Sequence, residues 1–329
     1  MTQAAAQSSA STTADVIVVG AGPAGSSAAY HMATLGLDVI LLEKQELGRD
    51  KVCGDGLTPS AVRELVSMGM DTTGWQRNRG LRVIGGGHLL HFPWPEQASF
   101  PSYGMARPRA LLDRDLAEHA AAAGARLLTG VTVTAPVTSP TGRVTGVEAR
   151  PTNRVAYPGI EAPTTFTAPL VIDAGGVSAR LATAVGRTKN ERRPMGVAVR
   201  AYFRSPRAKD AWMESRLELW DGTPGKSDLL PGYGWIWSVG EGLVNVGLGS
   251  VSSRAQATAI DYRAVFNRWM DNVPASWGFT KENQVGGLVS AALPMAFNRK
   301  PHYADGLMLL GDAGGMVSPF NGEGIAQAL

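Results

Sequence analysis

The stretch DVIVVGAGPAGSSAAYHMATLGLDVILLEK, residues 15–44, decides the fold. Its β-branched start, Asp15–Val19, predicts a buried strand, and the small and apolar residues after it predict a helix up to Leu35. A second apolar run, Asp38–Leu42, predicts another strand. Because strand–helix–strand crossovers are right-handed, the two strands are expected to lie parallel in one sheet. The sequence therefore predicts a β-α-β unit near the start of the chain.

The turn inside this unit has the spacing G-x-G-x-x-G, and its residues are Gly20, Ala21, Gly22, Pro23, Ala24 and Gly25. The first glycine forms the turn, the second lets the backbone approach a diphosphate, and the third lets helix and strand pack closely. The helix N-terminus offers N–H groups to the phosphates. Glu43, about 20 residues further on, is expected to accept hydrogen bonds from an adenosine ribose. The pattern predicts a dinucleotide site, with a structural turn as the alternative. The proline and the N-terminal position favour FAD over NAD.

A second strand–turn–helix pattern lies in LMLLGDAGGMVSPFNGEGIAQAL, residues 307–329. Asp312, at the end of the predicted strand, is expected to accept hydrogen bonds from ribityl hydroxyls. Gly322–Ile325, at the start of a predicted helix, is expected to bring backbone N–H groups to the flavin ring. Each half alone is equally consistent with a structural turn. Combined with the first turn, they predict FAD as the cofactor, with both turns meeting on one FAD molecule.

The composition argues against several other classes. The 329 residues carry a formal net charge of +3 without a block of like charges, which argues against a nucleic-acid partner. The single cysteine, Cys53, excludes an intrachain disulfide, and without a secretory signal it indicates the reducing cytosol. No apolar stretch approaches the roughly 18 residues of a spanning helix. The five histidines lack metal-ligand spacing, so no metal site is predicted.

The predicted fold class is α/β, with a Rossmann-like FAD-binding domain and a second, β-rich substrate domain. Residues 1–14 are expected to form a disordered tail. The FAD-binding domain is assigned to residues 15–70, 104–189 and 301–329. The substrate domain is assigned to residues 71–103 and 190–300, where short apolar strands dominate the pattern.

Several further elements are predicted from periodicity and end signals. The helices are expected at Pro59–Met68, Pro108–Ala123 and Ile260–Met270, and the strands at Arg126–Thr134, Val144–Arg150 and Thr165–Ile172. The last two strands are expected to form a hairpin-like pair around a loop rich in proline and threonine.

Three further stretches resemble the FAD-dependent geranylgeranyl reductase family, a branch of the p-hydroxybenzoate-hydroxylase-like flavoproteins. Residues 48–65, GRDKVCGDGLTPSAVREL, are similar to the segment that passes the isoalloxazine ring in this family. Residues 99–128 contain an R-x-x-L-D element, with Arg109 as its arginine and Asp113 as its acid. Residues 229–249, LLPGYGWIWSVGEGLVNVGLG, resemble the Y-x-W-x-F-P segment that lines the isoprenoid cavity of the family.

Within the family, the chain is most similar to the actinobacterial menaquinone reductases, which saturate one double bond of the menaquinone side chain. The resemblance therefore implies an FAD-dependent reductase of an isoprenoid C=C bond, in the menaquinone side chain or in a geranylgeranyl chain. The implied partners are an isoprenoid lipid and NAD(P)H or another electron donor. Because that substrate resides in lipid, a cytoplasmic protein that contacts the inner face of the cell membrane is expected.

The resemblance also implies which residues form the site. Besides the glycine turn, Glu43 and Asp312, the implied FAD contacts are Lys44, Arg49, Cys53, Gly54, Asp55, Gly56, Arg109, Val131 through its backbone, Gly324 and Ile325. Cys53 and Asp55 are the catalytic candidates for supplying a proton, with a buried structural cysteine and a loop-capping aspartate as alternatives. Tyr233, Trp235 and Trp237 are expected to line an isoprenoid tunnel, with a plain sheet core as the alternative.

Two departures from the family pattern bear on the site. The usual Ala-Asp-Gly reads DAGGVSAR here, so Gly175 takes the place of an aspartate that contacts the pyrophosphate region, and Asp173 is the expected substitute. Trp237 and Ser238 replace the second aromatic residue and the proline of Y-x-W-x-F-P. The C-terminal helical region of the family is missing from the sequence, which suggests a truncated protein.

These departures leave two alternative functions open. One is a flavin monooxygenase or halogenase of the same superfamily, because WIWSV is weakly similar to the halogenase pattern W-x-W-x-I-P. The other is a truncated relative that binds flavin without catalysis, given Gly175 and the missing C-terminal region.

Overall fold

The computed structural model describes residues 11–152, 163–190, 192–252 and 260–329. The chain packs into two compact units. The parallel-sheet unit comprises Met1–Leu47, Asp115–Thr188 and Arg299–Ala313, and the large-sheet unit comprises Gly48–Arg114, Lys189–Asn298 and Gly314–Leu329. This division places residues 48–70, 104–114 and 314–329 in the large-sheet unit, whereas the sequence assigned them to the FAD-binding domain. Because packing does not say what a segment binds, the two ligand-based domains stay predictions.

The α-helices are, in chain order, α1 (Pro23–Thr34), α2 (Pro59–Ser67), α3 (Arg109–Ala122), α4 (Arg180–Ala184), α5 (Tyr262–Asp271) and α6 (Ile325–Ala328). The first three and α5 lie within two residues of the predicted bounds. Helix α5 begins where it does because the Asp261 carboxylate accepts hydrogen bonds from the N–H groups of Arg263 and Ala264, at 3.0 and 3.1 Å.

The strands are, in chain order, β1 (Val16–Val19), β2 (Val39–Leu42), β3 (Gly56–Leu57), β4 (Gln76–Asn78), β5 (Gly80–Gly85), β6 (His88–Pro93), β7 (Gly104–Ala106), β8 (Arg126–Leu128), β9 (Val131–Thr138), β10 (Val144–Pro151), β11 (Thr164–Thr167), β12 (Leu170–Asp173), β13 (Met195–Arg204), β14 (Trp212–Arg216), β15 (Leu219–Trp220), β16 (Leu229–Leu230), β17 (Gly232–Gly240), β18 (Leu243–Ser252), β19 (Gln284–Pro294), β20 (Tyr303–Ala304) and β21 (Leu307–Leu309).

The parallel-sheet unit is built on a six-stranded sheet of order β20-β21-β12-β1-β2-β8. Strand β1 pairs in parallel with both β12 and β2, which confirms the predicted β-α-β unit. Val16 and Val18 pack with α1 and α3, whereas Ile17 packs towards the three-stranded sheet β11-β10-β9. The side chains of β1 alternate between two apolar layers, so both faces of the sheet are covered.

Two predicted strands divide differently in the structure. Arg126–Thr134 is two strands, the parallel β8 and the antiparallel β9, because Gly130 between them adopts a left-handed φ of +68°. Thr165–Ile172 also divides, since β11 pairs with β10 while β12 joins the parallel sheet beside β1. Pro169, which has no N–H to donate to a ladder, lies at this division. Most of the predicted proline- and threonine-rich loop, residues 153–162, lies outside the described residues.

The start of the described chain packs against the parallel-sheet unit. Thr13 bridges to Thr167, and the N–H of Ala14, a buried residue, donates to the carbonyl of Thr167 at 3.1 Å. The predicted disordered tail, residues 1–14, therefore does not include Thr13 and Ala14, and residues 1–10 lie outside the described residues.

The large-sheet unit is built on a seven-stranded sheet of order β19-β13-β18-β17-β14-β5-β6. Its long central strands β13, β18 and β17 are antiparallel, which confirms the predicted β-rich region. One side of the sheet, the helix face, packs Ile236 against Val265 of α5. The opposite side, the tryptophan face, carries Met213, Trp235 and Trp237 in a second buried cluster.

Candidate functional site

The turn after β1 requires glycine at two positions, because backbone atoms pack there too closely for a side chain. Gly20 has a φ of +101°, and a Cβ added to it would lie 2.5 Å from the carbonyl oxygen of Ala174. A Cβ on Gly25 would lie 1.8 Å from the carbonyl oxygen of Gly20. Helix α1 follows with Gly22 as its N-cap, and among the described residues no side chain caps this helix N-terminus. The turn thus presents an uncapped positive helix end, which fits the diphosphate of a dinucleotide.

Glu43 lies at the same turn, at the end of β2. Its carboxylate accepts hydrogen bonds from the N–H groups of Ala21 and Gln45, at 2.9 and 3.0 Å. A carboxylate has about four acceptor positions, so these two bonds leave capacity for ribose hydroxyls. The N–H of Val131 donates to the Glu43 carbonyl at 2.9 Å, and Pro151, opposite Val131 in the ladder, has no N–H to donate to the Val131 carbonyl. Any backbone contact from Val131 to adenine would therefore use its carbonyl.

Three other predicted FAD contacts lie at the surface or partly buried. The Lys44 and Arg49 side chains are exposed, and the Lys44 carbonyl accepts a hydrogen bond from the Thr152 hydroxyl at 2.6 Å. Asp312 is half-buried within the short 3-10 helix Gly311–Ala313 that follows β21. Contacts from these side chains to FAD stay predictions.

That Asp173 substitutes for the family aspartate stays a prediction, and the structure shows what its carboxylate contacts. Asp173 is buried, and its carboxylate accepts hydrogen bonds from the N–H groups of Gly175 and Ala182, at 2.9 and 3.1 Å. Burial raises the pKa of Asp173, and these two bonds oppose the rise. The carboxylate therefore caps its own loop. A Cβ on Gly175 would lie 2.9 Å from Asp173 Oδ1, so the glycine makes room for this cap.

In the large-sheet unit, the turn Cys53–Gly56 is organised around a buried carboxylate. Asp55 is wholly buried and adopts a left-handed φ of +62°, a strained conformation for a residue with a side chain. Its carboxylate accepts hydrogen bonds from Tyr202 Oη at 2.5 Å, from Asn245 Nδ2 at 2.8 Å and from the N–H of Arg109 at 3.1 Å. These three contacts to Asp55 hold the turn against the tryptophan face.

The two catalytic candidates have shifted pKa values. Burial raises the pKa of Asp55 to about 6, although hydrogen bonds from Tyr202 and Asn245 oppose the rise. Burial of the thiol raises the pKa of Cys53, and the Arg109 guanidinium opposes that rise. The N–H of Asp55 donates to Cys53 Sγ at 3.3 Å. Near neutral pH, Cys53 is therefore a protonated thiol, and Asp55 titrates closer to neutral pH than an ordinary aspartate does.

Arg109 is held within its own helix, α3. Its guanidinium forms a bidentate pair with Asp113, with Nε–Oδ1 and Nη2–Oδ2 distances of 2.8 and 3.0 Å. Lys51 forms a second ion pair with the same carboxylate. The positive charge of the Arg109 guanidinium also opposes the rise of the Cys53 pKa. The R-x-x-L-D element thus places a fixed positive charge beside the only cysteine of the chain.

The aromatic residues of β17 lie on the tryptophan face. The rings of Trp235 and Trp237 stack with centroids 5.9 Å apart. Their N–H groups donate to Asn245 Oδ1 at 2.8 Å and to the carbonyl of Gly54 at 2.6 Å. Both side chains are buried, so the sheet-core alternative accounts for them, whereas Tyr233 is only half-buried. Their role in lining a substrate tunnel stays a prediction.

The C-terminal glycine segment packs beside α2 in the same unit. Gly324 is the N-cap of α6, and Ile325 is buried. Thr58, which precedes α2, donates from its hydroxyl to the Glu323 carboxylate. Because Gly20–Gly25 belongs to the parallel-sheet unit, the convergence of the two glycine turns on one FAD stays a prediction.

Sequence reasoning missed Tyr202, Asn245 and Arg200. All three lie in apolar strands on the tryptophan face, and Arg200 is buried with its guanidinium 4.1 Å from the centroid of the Tyr202 ring. The sequence feature that could have identified them is a single polar residue in an otherwise apolar strand, at a position whose side chain points into the core, as in GVAVRAYF and LVNVGLG. A buried polar side chain requires a partner, and here the partner is the Cys53–Gly56 segment or the preceding residues 50–52.

Neither a membrane-spanning helix nor a metal-binding cluster is found among the residues that the structure describes. None of the described helices is long and apolar enough to cross a membrane. Within the same residues, no group of three or more His, Cys, Asp or Glu side chains is arranged to hold a metal ion.

The uncapped helix end at the glycine turn and the acid at the end of β2 are the features of a dinucleotide-binding domain. A family model described as an FAD binding domain matches residues 13–329. The chain is 39% identical to the menaquinone reductase of Mycolicibacterium smegmatis, over 97% of this chain and 74% of that protein. It is 30% identical to the digeranylgeranylglycerophospholipid reductase 1 of Methanosphaera stadtmanae, over 96% of this chain and 72% of that one.

A solved structure also shows similarity to a reductase-like protein. The geranylgeranyl bacteriochlorophyll reductase-like protein of Thermoplasma acidophilum has a TM-score of 0.77 and 26% identity, covering 96% of this chain and 75% of that one. Flavin-dependent halogenases share the fold at lower identity, which indicates the fold alone. The chain belongs to the FAD-binding family and, within it, to the geranylgeranyl-reductase-like oxidoreductases.

Proposed function

We propose that this chain reduces an isoprenoid C=C bond with FAD, and that its substrate is the side chain of menaquinone. The relatives named menaquinone reductase and digeranylgeranylglycerophospholipid reductase support the substrate class. The observation that carries the proposal is the Cys53–Gly56 turn, which holds a half-buried thiol and a buried carboxyl group against an apolar sheet face. This combination suits the delivery of a proton to an apolar molecule in a site from which water is excluded.

The reaction has two requirements, hydride and proton. An isolated trisubstituted alkene has no carbonyl to polarise it, so a proton must arrive at one carbon as hydride arrives at the other. When bound and reduced, FAD supplies the hydride. The residues of the chain orient the substrate, exclude water and supply the acid.

Cys53 is proposed as the proton donor. Its raised pKa keeps the proton on Sγ near neutral pH. After donation, the thiolate would be stabilised by the guanidinium of Arg109 and by the N–H of Asp55, which already donates to the sulfur. Asp55 is proposed to return the proton to Cys53, since its pKa of about 6 makes both of its protonation states accessible.

The proposal extends to the surroundings of the reaction. NAD(P)H or another donor reduces the flavin, and the protein works in the cytoplasm at the inner face of the membrane, in menaquinone biosynthesis. The glycine turn and Glu43 hold the diphosphate and ribose, and Lys44, Arg49, Val131, Asp312, Gly324 and Ile325 contribute the further FAD contacts expected from the sequence. Tyr233, the most accessible of the three β17 aromatics, contacts the isoprenoid chain.

Anaerobic turnover tests this proposal. The purified protein should be yellow, and after reduction by dithionite it should add two hydrogen atoms to the side chain of menaquinone, as detected by mass spectrometry after air has reoxidised the quinone ring. Cys53→Ser should keep the flavin and lose most of this activity, because a hydroxyl is a far weaker acid. Reoxidation by oxygen alone, with the lipid unchanged, would contradict the proposal. Oxygen or halide in the product would identify the monooxygenase or halogenase alternative, and a colourless folded protein the non-catalytic one.

A further inference from the structure

The hairpin formed by β5 and β6 stands at one edge of the seven-stranded sheet. Strand β6 is the last strand in the sheet order, and each of its six residues is exposed. At the tip, Gly86 and Gly87 have φ values of +58° and +77°, and a Cβ on either would meet nothing within 4 Å among the described residues. The tip is therefore a thin ribbon, free of bulky side chains, that extends into solvent.

The exposed side chains of β6 are apolar apart from those of His88 and His91. Leu89, Leu90, Phe92 and the neighbouring Leu217 are between 50% and 55% exposed. Arg82 is the one lysine, arginine, aspartate or glutamate in residues 80–93, and its guanidinium is paired with Asp210 and Glu214. Exposed edge strands in soluble proteins are usually protected by charged side chains or by a covering element. A strand without such protection requires another apolar surface to cover it.

The apolar surface of the hairpin continues into the tryptophan face. Phe92 lies opposite Leu81, and Leu81 lies opposite Met213 in the next strand. Met213 and Leu81 pack in the same cluster as Trp235 and Trp237. One continuous apolar face thus leads from the exposed edge of the sheet to the wall against which Cys53–Gly56 is held.

The geometry favours a lipid surface over a second copy of the chain. Four half-exposed side chains offer less area than the roughly 800 Å² per partner that a stable dimer buries. Leu89 and Leu90 are consecutive in a strand, so their side chains point to opposite faces of the ribbon. A protein partner covers one face, whereas acyl chains surround both. Because the outer backbone groups of an edge strand cannot lose their hydration, the insertion must be shallow.

We propose that the hairpin Gly80–Pro93, with Leu217 beside it, is the surface on which this protein docks to a lipid bilayer. Leu89, Leu90 and Phe92 enter the boundary between headgroups and acyl chains. This inference rests on the proposed function, since an isoprenoid substrate would be taken from that bilayer along the apolar sheet face.

Co-sedimentation with vesicles tests this surface. The vesicles contain equal parts of phosphatidylcholine and phosphatidylglycerol and no menaquinone, so binding does not depend on turnover. The wild-type chain should bind, and the triple variant Leu89→Ser, Leu90→Ser, Phe92→Ser should partition at least about tenfold more weakly, because three apolar side chains are lost from the membrane boundary. Leu35→Ser is the matched control, as Leu35 is 79% exposed but lies beyond α1 in the other unit.

A second variant separates apolar insertion from unfolding. Leu89→Ile with Leu90→Ile and Phe92→Leu should keep vesicle binding, and a thermal melt establishes whether each variant is folded. If the serine variant unfolds, Leu90→Asp alone should abolish binding. Failure of the wild type to bind, or equal binding by the serine variant, would overturn the proposal. So would a wild-type dimer that dissociates in the serine variant. Reduction of detergent-dispersed menaquinone, measured separately, reports on the proposed function alone.

Discussion

Asp55 combines left-handed backbone, complete burial and a carboxylate that accepts three hydrogen bonds. Its raised pKa means that the folded chain binds this proton more tightly than the unfolded chain does. The contribution of Asp55 to the free energy of unfolding is therefore greatest below about pH 4. It falls as the pH rises to about 6, by up to roughly 3 kcal/mol, and remains low above that pH.

Asp55→Asn should remove this dependence, because an amide does not titrate in this range. Urea unfolding of both proteins across this pH range gives the difference between their free energies of unfolding. As the pH rises from about 4 to about 6, the wild type should lose stability relative to the variant. If the free energies of unfolding of the two proteins changed with pH in parallel, Asp55 would have an ordinary pKa in the folded chain.

In the proposed mechanism Tyr202 acts through Asp55, which makes it a positioning residue. Its hydroxyl donates to Asp55 Oδ2 at 2.5 Å, and this bond lowers the carboxyl pKa against the effect of burial. Tyr202→Phe should therefore raise the pKa of Asp55 further and move the limb of the pH–rate profile that Asp55 controls to higher pH. Tyr233→Phe, which loses a hydroxyl bond to the Asn321 carbonyl, should leave this limb in place. A rate that falls equally at every pH would indicate a structural role only.

At the scale of single elements, the β1–α1 turn gives a sharp comparison between two glycines. Gly25→Ala places a Cβ 1.8 Å from the Gly20 carbonyl oxygen, so the turn must open and the flavin should be lost. Gly36→Ala places a Cβ where the described residues leave space and strains only a φ of +86°, which costs about 1–2 kcal/mol. The ratio of flavin absorbance to protein should fall for the first variant and stay unchanged for the second. Full flavin content in Gly25→Ala would show that this turn does not hold the cofactor.

Short sequence patterns correctly predicted the elements that neighbouring residues form by themselves. The β-branched run, the glycine turn and the second apolar run placed β1, α1 and β2 because each is formed by neighbouring residues. The partner of Leu170–Asp173 was predicted wrongly, because that strand pairs with Val16–Val19, far away along the chain. Tyr202 and Asn245 were missed for the same reason, since they meet Asp55 across 147 and 190 residues.

At the scale of the whole molecule, the residues expected to serve one cofactor belong to two packing units. Gly20–Gly25, Glu43 and Asp312 lie in the parallel-sheet unit, whereas Cys53–Gly56 and Arg109 lie in the large-sheet unit. The sequence grouped these segments by the ligand that the family resemblance implies. The structure groups them by the sheet on which each packs, and no periodicity in the sequence reveals that grouping.

The cap formed by Asp173 beside Gly175 makes these two positions dependent on each other. An aspartate introduced at position 175 alone would bring its Cβ to 2.9 Å from Asp173 Oδ1 and add a second negative charge next to the first. Removing the Asp173 carboxylate alone would leave the N–H groups of Gly175 and Ala182 without their acceptor. Neither single change is neutral, so the effects of changes at positions 173 and 175 depend on each other. A lineage that acquired this pair would tend to keep it, and an engineer restoring the family aspartate must change both codons together.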